Sequence, residues 1–411
     1  MTQAQRFEAV LAGKRPDRTP FFPDISTWYQ ASRLGVGGEQ LFYPGQHIPD
    51  GDPIHGLPSR LGGILGGRLS RLSYTDFYRE FGWGLPAHIY DWYDESLADG
   101  AERTVVTEGR HRTIRFRTPA GELHRTYKLD AEGSWSEYGH MVKQLGDLDI
   151  VRSLVTRTRR VAHPERVERF LRETAGFGAC DLVIFRSPFG KLVHEYLGFE
   201  GVVYAVEDHE RTILDFMEFQ AEHDLRLIEM AADMPGKVVI ISDHADENLI
   251  SPPMYRKYCM PFYREACAIL RGAGKLVSTH LDGNFKGYLS FIADTGFDIL
   301  DGCTPAPMFN YEVEELAAAT LGQGRDPEMR CWCGVPAGLF TFGYPRDKIA
   351  DFGERIVKAF GGMVIANVGD ILPPTGDIEA VIALGERIAS CGHQAEGEDP
   401  YSLDTRAQAS R

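Results

Sequence analysis

Residues 237–307 read KVVIISDHADENLISPPMYRKYCMPFYREACAILRGAGKLVSTHLDGNFKGYLSFIADTGFDILDGCTPAP, and this stretch decides the fold. Three apolar runs, Lys237–Asp243, Lys275–His280 and Phe297–Asp301, each end on a polar or ionisable residue and are separated by helical patterns. Apolar runs of about six residues joined by crossover helices are typical of parallel β/α repeats. Because the active site of a β/α barrel lies at the carboxyl ends of its strands, the stretch also predicts the catalytic face.

Similar runs extend this pattern in both directions along the chain. RTPFFPDISTWY supplies a first barrel strand that ends at Asp24, behind a short amphipathic helix at the N-terminus. The predicted strands start at Phe21, Asp181, Lys237, Lys275, Phe297, Met329 and Met363. An eighth strand must lie within residues 32–160, where the pattern does not place it. We therefore predict an α/β fold, a single (β/α)8 TIM-type barrel over residues 1–395 with an N-terminal extension.

The region of residues 85–160 has a different pattern and is predicted to be an insertion in the barrel. Within it, TIRFRTPAGELHRTYKL alternates apolar and polar residues on both sides of Pro119–Gly121. Period-two alternation around a turn indicates an antiparallel hairpin. The polar C-terminal residues 396–411 are predicted to form a flexible tail.

The composition argues against several kinds of partner. The formal net charge is −15 and no basic cluster stands out, so neither nucleic acid nor an anionic membrane is an expected partner. No apolar run approaches the roughly 18 residues of a membrane helix, and the N-terminus lacks the apolar core of a signal peptide. Seven cysteines spread through the chain do not resemble a disulfide framework. We expect a cytoplasmic protein with reduced thiols and a small-molecule substrate, and the sequence leaves the oligomeric state open.

The strand ends supply the candidate site residues. His280 and Asp282 leave one strand at i and i+2, so both side chains point to the same side and suit a divalent ion such as Zn²⁺. Alternatively, His280 hydrogen-bonds the loop and Asp282 caps the helix that opens at Asn284. Asp370, in ANVGDILPPTGD, is either a third ligand, a substrate-binding carboxylate or a turn aspartate that binds nearby backbone.

The remaining candidates carry similar alternatives. Asp24 ends the first strand, and Arg186 is either a clamp for an anionic substrate group or a member of a structural ion pair. Cys333 and Cys303 lie at neighbouring strand ends, so either is an alternative metal ligand, although packing as buried thiols is the favoured explanation of Cys331 and Cys333. No nucleophile elbow, phosphate-binding loop, zinc-protease motif or dinucleotide fingerprint occurs in the sequence.

Four segments together resemble the uroporphyrinogen decarboxylase-like superfamily. They are RFEAVLAGKRPDRTPFFPD, SDHADENLISPPMYRKYCMPFYREACAIL, STHLDGNFKGYLSFIADTGFDILD and ANVGDILPPTGDIEAV. The sequence departs from true decarboxylases at two motifs. FPDISTWYQASR stands where their arginine-rich motif would be, and Asp370 replaces a turn histidine. The chain is therefore more similar to the zinc methyltransferases of corrinoid systems.

This resemblance implies a metal-dependent methyltransferase that moves a methyl group between a small O- or N-methyl compound and a corrinoid protein, as in the members that demethylate methylamines or aryl methyl ethers. The ligand positions of the thiol-methylating members map onto His280, Asp282 and Asp370, so carboxylates replace both thiolates. Such a site favours an oxygen- or nitrogen-bound substrate. Asp243 or His244 would donate a proton to the leaving group. The corrinoid would be carried by a separate protein, since no cobalamin-binding D-x-H-x-x-G pattern occurs. A decarboxylase of another carboxylic acid, with Arg186 holding the acid, and a non-catalytic ligand-binding barrel are the alternatives.

Overall fold

The computed structural model describes residues 1–33, 72–129, 135–322, 328–341, 343–373 and 375–391. The tail predicted at residues 396–411 lies outside the described residues. Across the described part of the chain, no helix has both the length and the apolar composition needed to cross a membrane.

The central sheet contains seven parallel strands, numbered β1 to β7 in chain order. They are Leu85–Ile89, Gly178–Phe185, Val238–Ser242, Leu276–His280, Ile299–Cys303, Arg330–Val335 and Ile365–Val368. Each strand pairs with the next one along the chain. The strands are mostly buried, as expected for a parallel sheet whose outer face is covered by crossover helices.

A short extended segment around Phe21 closes the sheet. Phe21 forms a parallel bridge with Ala366 on β7, and the Phe22 amide donates to the Ala366 carbonyl at 2.9 Å. On the other side, the Gly84 amide, directly before β1, donates to the Phe21 carbonyl at 2.8 Å. The segment therefore lies between β7 and β1, which confirms the predicted TIM-type barrel.

The eighth strand that the sequence pattern leaves unplaced is β1. Its five residues, LPAHI, contain a proline and a histidine, so they form no continuous β-branched run. The strand is nevertheless buried and pairs along its whole length with Gly178–Leu182 on β2. The insertion predicted at residues 85–160 therefore begins only after Ile89.

The insertion contains two antiparallel sheets and the helix Leu148–Arg157. Tyr93–Leu97 pairs with Thr158–Ala162, and a four-stranded sheet contains the predicted hairpin. The strands of the larger sheet are Glu102–Glu108, His111–Thr118, Gly121–Leu129 and Trp135–Gly139. Gly121 closes the hairpin opposite Thr118 with a φ of 144°, a backbone conformation that L side chains rarely adopt.

Helices surround the barrel and cover its amino-terminal end. The α-helices are Gln3–Leu11, Ser26–Arg33, Tyr74–Phe81, Leu148–Arg157, Pro164–Glu173, Pro188–Lys191, Gly198–Ala232, Pro252–Met254, Met260–Gly272, Val313–Thr320, Arg346–Ala359 and Ile378–Ser390. The first of them begins with a capping box between Thr2 and Gln5. Its Phe7 packs against Phe22 and Trp332 at ring distances of 5.5 and 5.6 Å. Because this helix seals the end where β6 begins, the opposite end is left for the site.

Candidate active site

Two histidine–aspartate pairs lie across neighbouring strands of the barrel. His280 on β4 is opposite Asp301 on β5, and His88 on β1 is opposite Asp181 on β2. The distance from His280 Nδ1 to Asp301 Oδ2 is 2.6 Å, and that from His88 Nδ1 to Asp181 Oδ1 is 2.9 Å. A carboxylate at Nδ1 orients the imidazole and leaves Nε2 as its other polar atom.

The pair of His280 and Asp301 is nearly sealed from solvent. Burial alone would lower the pKa of His280, but the charge of Asp370 and the hydrogen bond to Asp301 raise it to about 9. Burial would raise the pKa of Asp301, yet its bond to His280 holds that pKa below the usual range. Asp301 is therefore a charged carboxylate that holds the imidazole in one orientation.

A glycine makes room for this imidazole. Gly302 has a φ of 70°, and a Cβ at this position would lie 2.7 Å from His280 Cε1. Real Cβ atoms essentially never approach so closely. The orientation of His280 therefore depends on the absence of a side chain at residue 302.

His244, His280 and Asp282 form the group whose geometry fits a metal ion. Their ligand atoms all lie within 4.8 Å of one another. The rings of His244 and His280 meet edge to face at 4.8 Å between centroids. Two imidazole nitrogens and a carboxylate oxygen are a donor set found at catalytic zinc sites, where a fourth position remains open. These three residues, none of which is a cysteine, therefore fit Zn²⁺.

Asp370 lies beside this group but not within it. Its Oδ1 is 3.6 Å from His280 Nε2, the nitrogen that points away from Asp301. Of the predicted ligands, the structure thus brings His280 and Asp282 together with His244, and it places Asp370 against His280.

The mouth of the barrel is crowded with carboxylates. Burial raises the pKa of Asp24, Asp181 and Asp370. Burial and the charge of Asp370 raise the pKa of Asp282 to about 6. A bound cation would stabilise the ionised form of these carboxyl groups, because it supplies the largest opposite charge in such a site.

Backbone strain is located at the same strand ends. Arg186 and His244, which follow β2 and β3, have φ values of 52° and 48°. Left-handed backbone costs a non-glycine residue about 1–2 kcal/mol and persists where the surroundings hold it in place. The left-handed backbone at His244 directs its imidazole towards His280, whereas the side chain of Asp243, one residue earlier, faces the interior.

The carboxyl group of Asp243 is fully buried and held by neighbouring groups. It has no exposed surface, its Oδ1 accepts the Ser187 amide at 2.7 Å, and its Oδ2 accepts the hydroxyl of Tyr263. A Cβ on Gly190 would meet the same carboxylate at 2.2 Å. These contacts make Asp243 an anchor for the loop after β2, so the geometry does not favour the proton-donor role expected of it.

The other predicted residues have local partners. Arg186 Nη1 lies 3.4 Å from Glu195 Oε1, which corresponds to the ion-pair alternative. Asp24 accepts the Ser26 amide at 2.8 Å. Cys303 and Cys333 are opposite each other on β5 and β6 and are fully buried, which raises both thiol pKa values well above the ordinary value.

The sequence pattern missed the pair of His88 and Asp181. His88 lies in β1, the strand that was not placed, and Asp181 was interpreted only as the start of an apolar run. Had β1 been recognised, a histidine one residue before its end would have been a candidate on the same grounds as His280.

Comparisons with known proteins agree with this architecture. Residues 194–389 match the uroporphyrinogen decarboxylase (URO-D) family. A solved methyltransferase from Methanosarcina mazei superposes with a TM-score of 0.59 at 14% identity, covering 95% of this chain and 98% of its own. At that identity the likeness supports the fold alone. No curated protein matches the sequence.

A second solved structure is much less similar to this chain. A structure described as a vitamin-B12-independent methionine synthase from Listeria monocytogenes has 14% identity and a TM-score of 0.32, with 56% of this chain and 68% of that chain covered. The family match, by contrast, confirms over residues 194–389 the resemblance drawn from the sequence.

Proposed function

We propose, from the match of residues 194–389 to the uroporphyrinogen decarboxylase family and from the geometry of the mouth, that this protein is a methyltransferase. It moves a methyl group between a small O- or N-methyl compound and a corrinoid carried by a separate protein. The activity named for the Methanosarcina mazei protein is consistent with this class of reaction.

The observation that carries the proposal is the group of His244, His280 and Asp282 at the mouth. Together they would hold one Zn²⁺ with an open position for the substrate. A bound Zn²⁺ would polarise the oxygen or nitrogen atom that loses the methyl group. Asp301 fixes the His280 ring, so that Nε2 is the nitrogen available as ligand.

Two ligand sets remain as proposals. Both contain His280 and Asp282. The resemblance to the family favours Asp370 as the third ligand, whereas the short distances among the ligand atoms favour His244. Asp370→Ala and His244→Ala discriminate between them when zinc is counted by elemental analysis after loading and dialysis. Loss of zinc in only one variant identifies the third ligand. Retention of zinc in both, with loss in Cys333→Ala or Cys303→Ala, would show that a thiol replaces them.

Decarboxylation is the second candidate, favoured by the family name itself. A decarboxylase must hold an acid group, and Arg186 was the predicted clamp. Its guanidinium is already paired with Glu195. The carboxyl groups of Asp24, Asp181 and Asp370 act on the same region, because all three raise the pKa of Tyr90. Because the predicted clamp already has a partner, methyl transfer is the better match to the site.

The test is an assay of the zinc-loaded protein with cob(I)alamin and a panel of methyl ethers and methylated amines. Formation of methylcobalamin, followed by its absorbance, is the expected result for at least one donor. Asp282→Asn, which keeps the side-chain shape but lowers ligand strength, is the matched control and should abolish the signal. Release of CO₂ from carboxylic acids without a corrinoid would favour the decarboxylase. Binding without any turnover would favour a non-catalytic barrel.

A further inference from the structure

We infer that His88, positioned by Asp181, donates the proton to the heteroatom that loses its methyl group. This inference rests on the proposed function and names a catalytic residue for it. The sequence pattern assigned that task to Asp243 or His244. Asp243 is sealed by Ser187 and Tyr263, and His244 lies among the candidate metal ligands, so neither is placed as well as His88 to reach the substrate from the side opposite the metal.

The geometry of the pair is well defined. His88 Nδ1 lies 2.9 and 3.0 Å from the two Asp181 oxygens, across directly paired strands. The side chain of Asp181 is 5% exposed, whereas that of His88 is 26% exposed. The carboxylate is thus inside the barrel, and the imidazole is the member of the pair that solvent, and hence a substrate, can reach.

Charged groups on several neighbouring elements face His88. They are Asp181 on β2, Asp301 on β5, Asp24 after the Phe21 segment, Asp370 after β7 and, with a like charge, His280 on β4. Burial alone would lower the pKa of His88, but the charge and hydrogen bond of Asp181 raise it to about 10. The imidazole is therefore held in the doubly protonated form that a donor needs.

The position relative to the metal-binding group also fits. His88 and His280 occupy strands β1 and β4, and the charge of His88 acts on His280 across the mouth. A substrate atom between the two sides would meet the ligand group on one side and an acidic imidazole on the other. General acids act in this way, on the atom that gains electron density as a bond breaks.

The proton balance of methyl transfer explains the need for such a group. The acceptor, a reduced corrinoid, supplies the electron pair of the new bond to the methyl carbon. The pair of the broken carbon–oxygen bond stays on oxygen, which takes the proton from His88, and the neutral imidazole is reprotonated from solvent. A quaternary ammonium donor instead leaves as a neutral tertiary amine, which needs no proton in this step.

This difference between donors provides the test. In His88→Asn the amide replaces Nδ1 as donor to Asp181 but cannot transfer a proton. We expect methyl transfer from ethers to fall by about 100-fold or more, within the range that general acids contribute. The loss should grow as the leaving alcohol or phenol becomes more basic, and a quaternary ammonium donor should change by less than about threefold. A structural role predicts instead the same loss with every donor, and that result would overturn the inference.

Two outcomes separate the inference from the proposed function. Activity of the unmutated protein with an unchanged or uniformly reduced His88→Asn rate rejects the inference and leaves methyl transfer intact. Inactivity of the unmutated protein on the whole panel rejects both.

A second measurement does not depend on turnover. NMR of histidine labelled with ¹³C and ¹⁵N, assigned with His88→Asn, should show a doubly protonated His88 from pH 6 to pH 8. Asp181→Asn should shift it towards the neutral form. A neutral His88 at pH 7 in the unmutated protein would refute the role, whatever the activity.

Discussion

Replacing Gly302 by alanine tests the orientation of His280, on which the metal proposal depends. A Cβ at residue 302 would lie 2.7 Å from His280 Cε1 and 2.9 Å from Nδ1. Ordinary van der Waals contact begins at about 3.4 Å, so the imidazole must move by about 0.7 Å. The hydrogen bond from Nδ1 to Asp301, which is 2.6 Å long, cannot survive such a shift unchanged.

The expected loss of folding stability in Gly302→Ala has two parts. The φ of 70° costs an alanine about 1–2 kcal/mol. Overpacking against a buried ring adds about 1–3 kcal/mol. The variant should therefore unfold about 2–5 kcal/mol more easily than the unmutated protein. Loss of an orienting interaction of this kind lowers metal affinity by about 10–100-fold.

Gly322→Ala is the matched control. Gly322 has a φ of 69°, but among the described residues a Cβ there would meet no atom within 4 Å. This variant should lose only the backbone part, about 1–2 kcal/mol, and keep its zinc affinity. Urea unfolding measures the first quantity, and zinc titration against a competing chelator measures the second. A zinc affinity of Gly302→Ala within twofold of the unmutated protein would refute the orienting role of this contact, or the assignment of His280 as a ligand.

Substitutions at Asp301, Asp243 and His88 test three other contacts of the barrel mouth. Asp301→Asn should lower zinc affinity by about 10–100-fold in the chelator titration, and an unchanged affinity would mean that Asp301 does not orient His280. Asp243→Asn should reduce the free energy of unfolding by about 1–3 kcal/mol in urea, because it disturbs a buried carboxylate with two donors; normal stability with abolished methyl transfer would instead restore its catalytic role. The pKa of His88 is about 10 in the fold and about 6.5 when unfolded, so the stability it contributes is complete below about pH 6.5 and disappears as the pH rises through 10. The difference in unfolding free energy between the unmutated protein and His88→Asn should therefore shrink over this range, and a difference independent of pH would contradict the charge assigned to His88.

The local pattern was sufficient for the barrel and for part of its site. Apolar runs separated by helical periodicity located β2 to β7 and the Phe21 segment, because burial on both faces demands continuous apolar strands. The two-residue spacing of His280 and Asp282 predicted that they share a side, and both belong to the metal-binding group. The pattern did not locate β1 because its sequence lacks the composition of a strand. Its pairing with β2 holds it in the extended conformation.

What the sequence alone determined was which residues stand at the strand ends; their partners were decided by the tertiary structure. Asp243 and His244 are adjacent, and the left-handed backbone at His244 separates a sealed anchor from a member of the metal-binding group. His88 meets Asp181, and His280 meets Asp301, through strand register between segments far apart in the chain. Local periodicity reports burial, whereas register, backbone strain and the charges across a barrel mouth arise only when distant segments pack together.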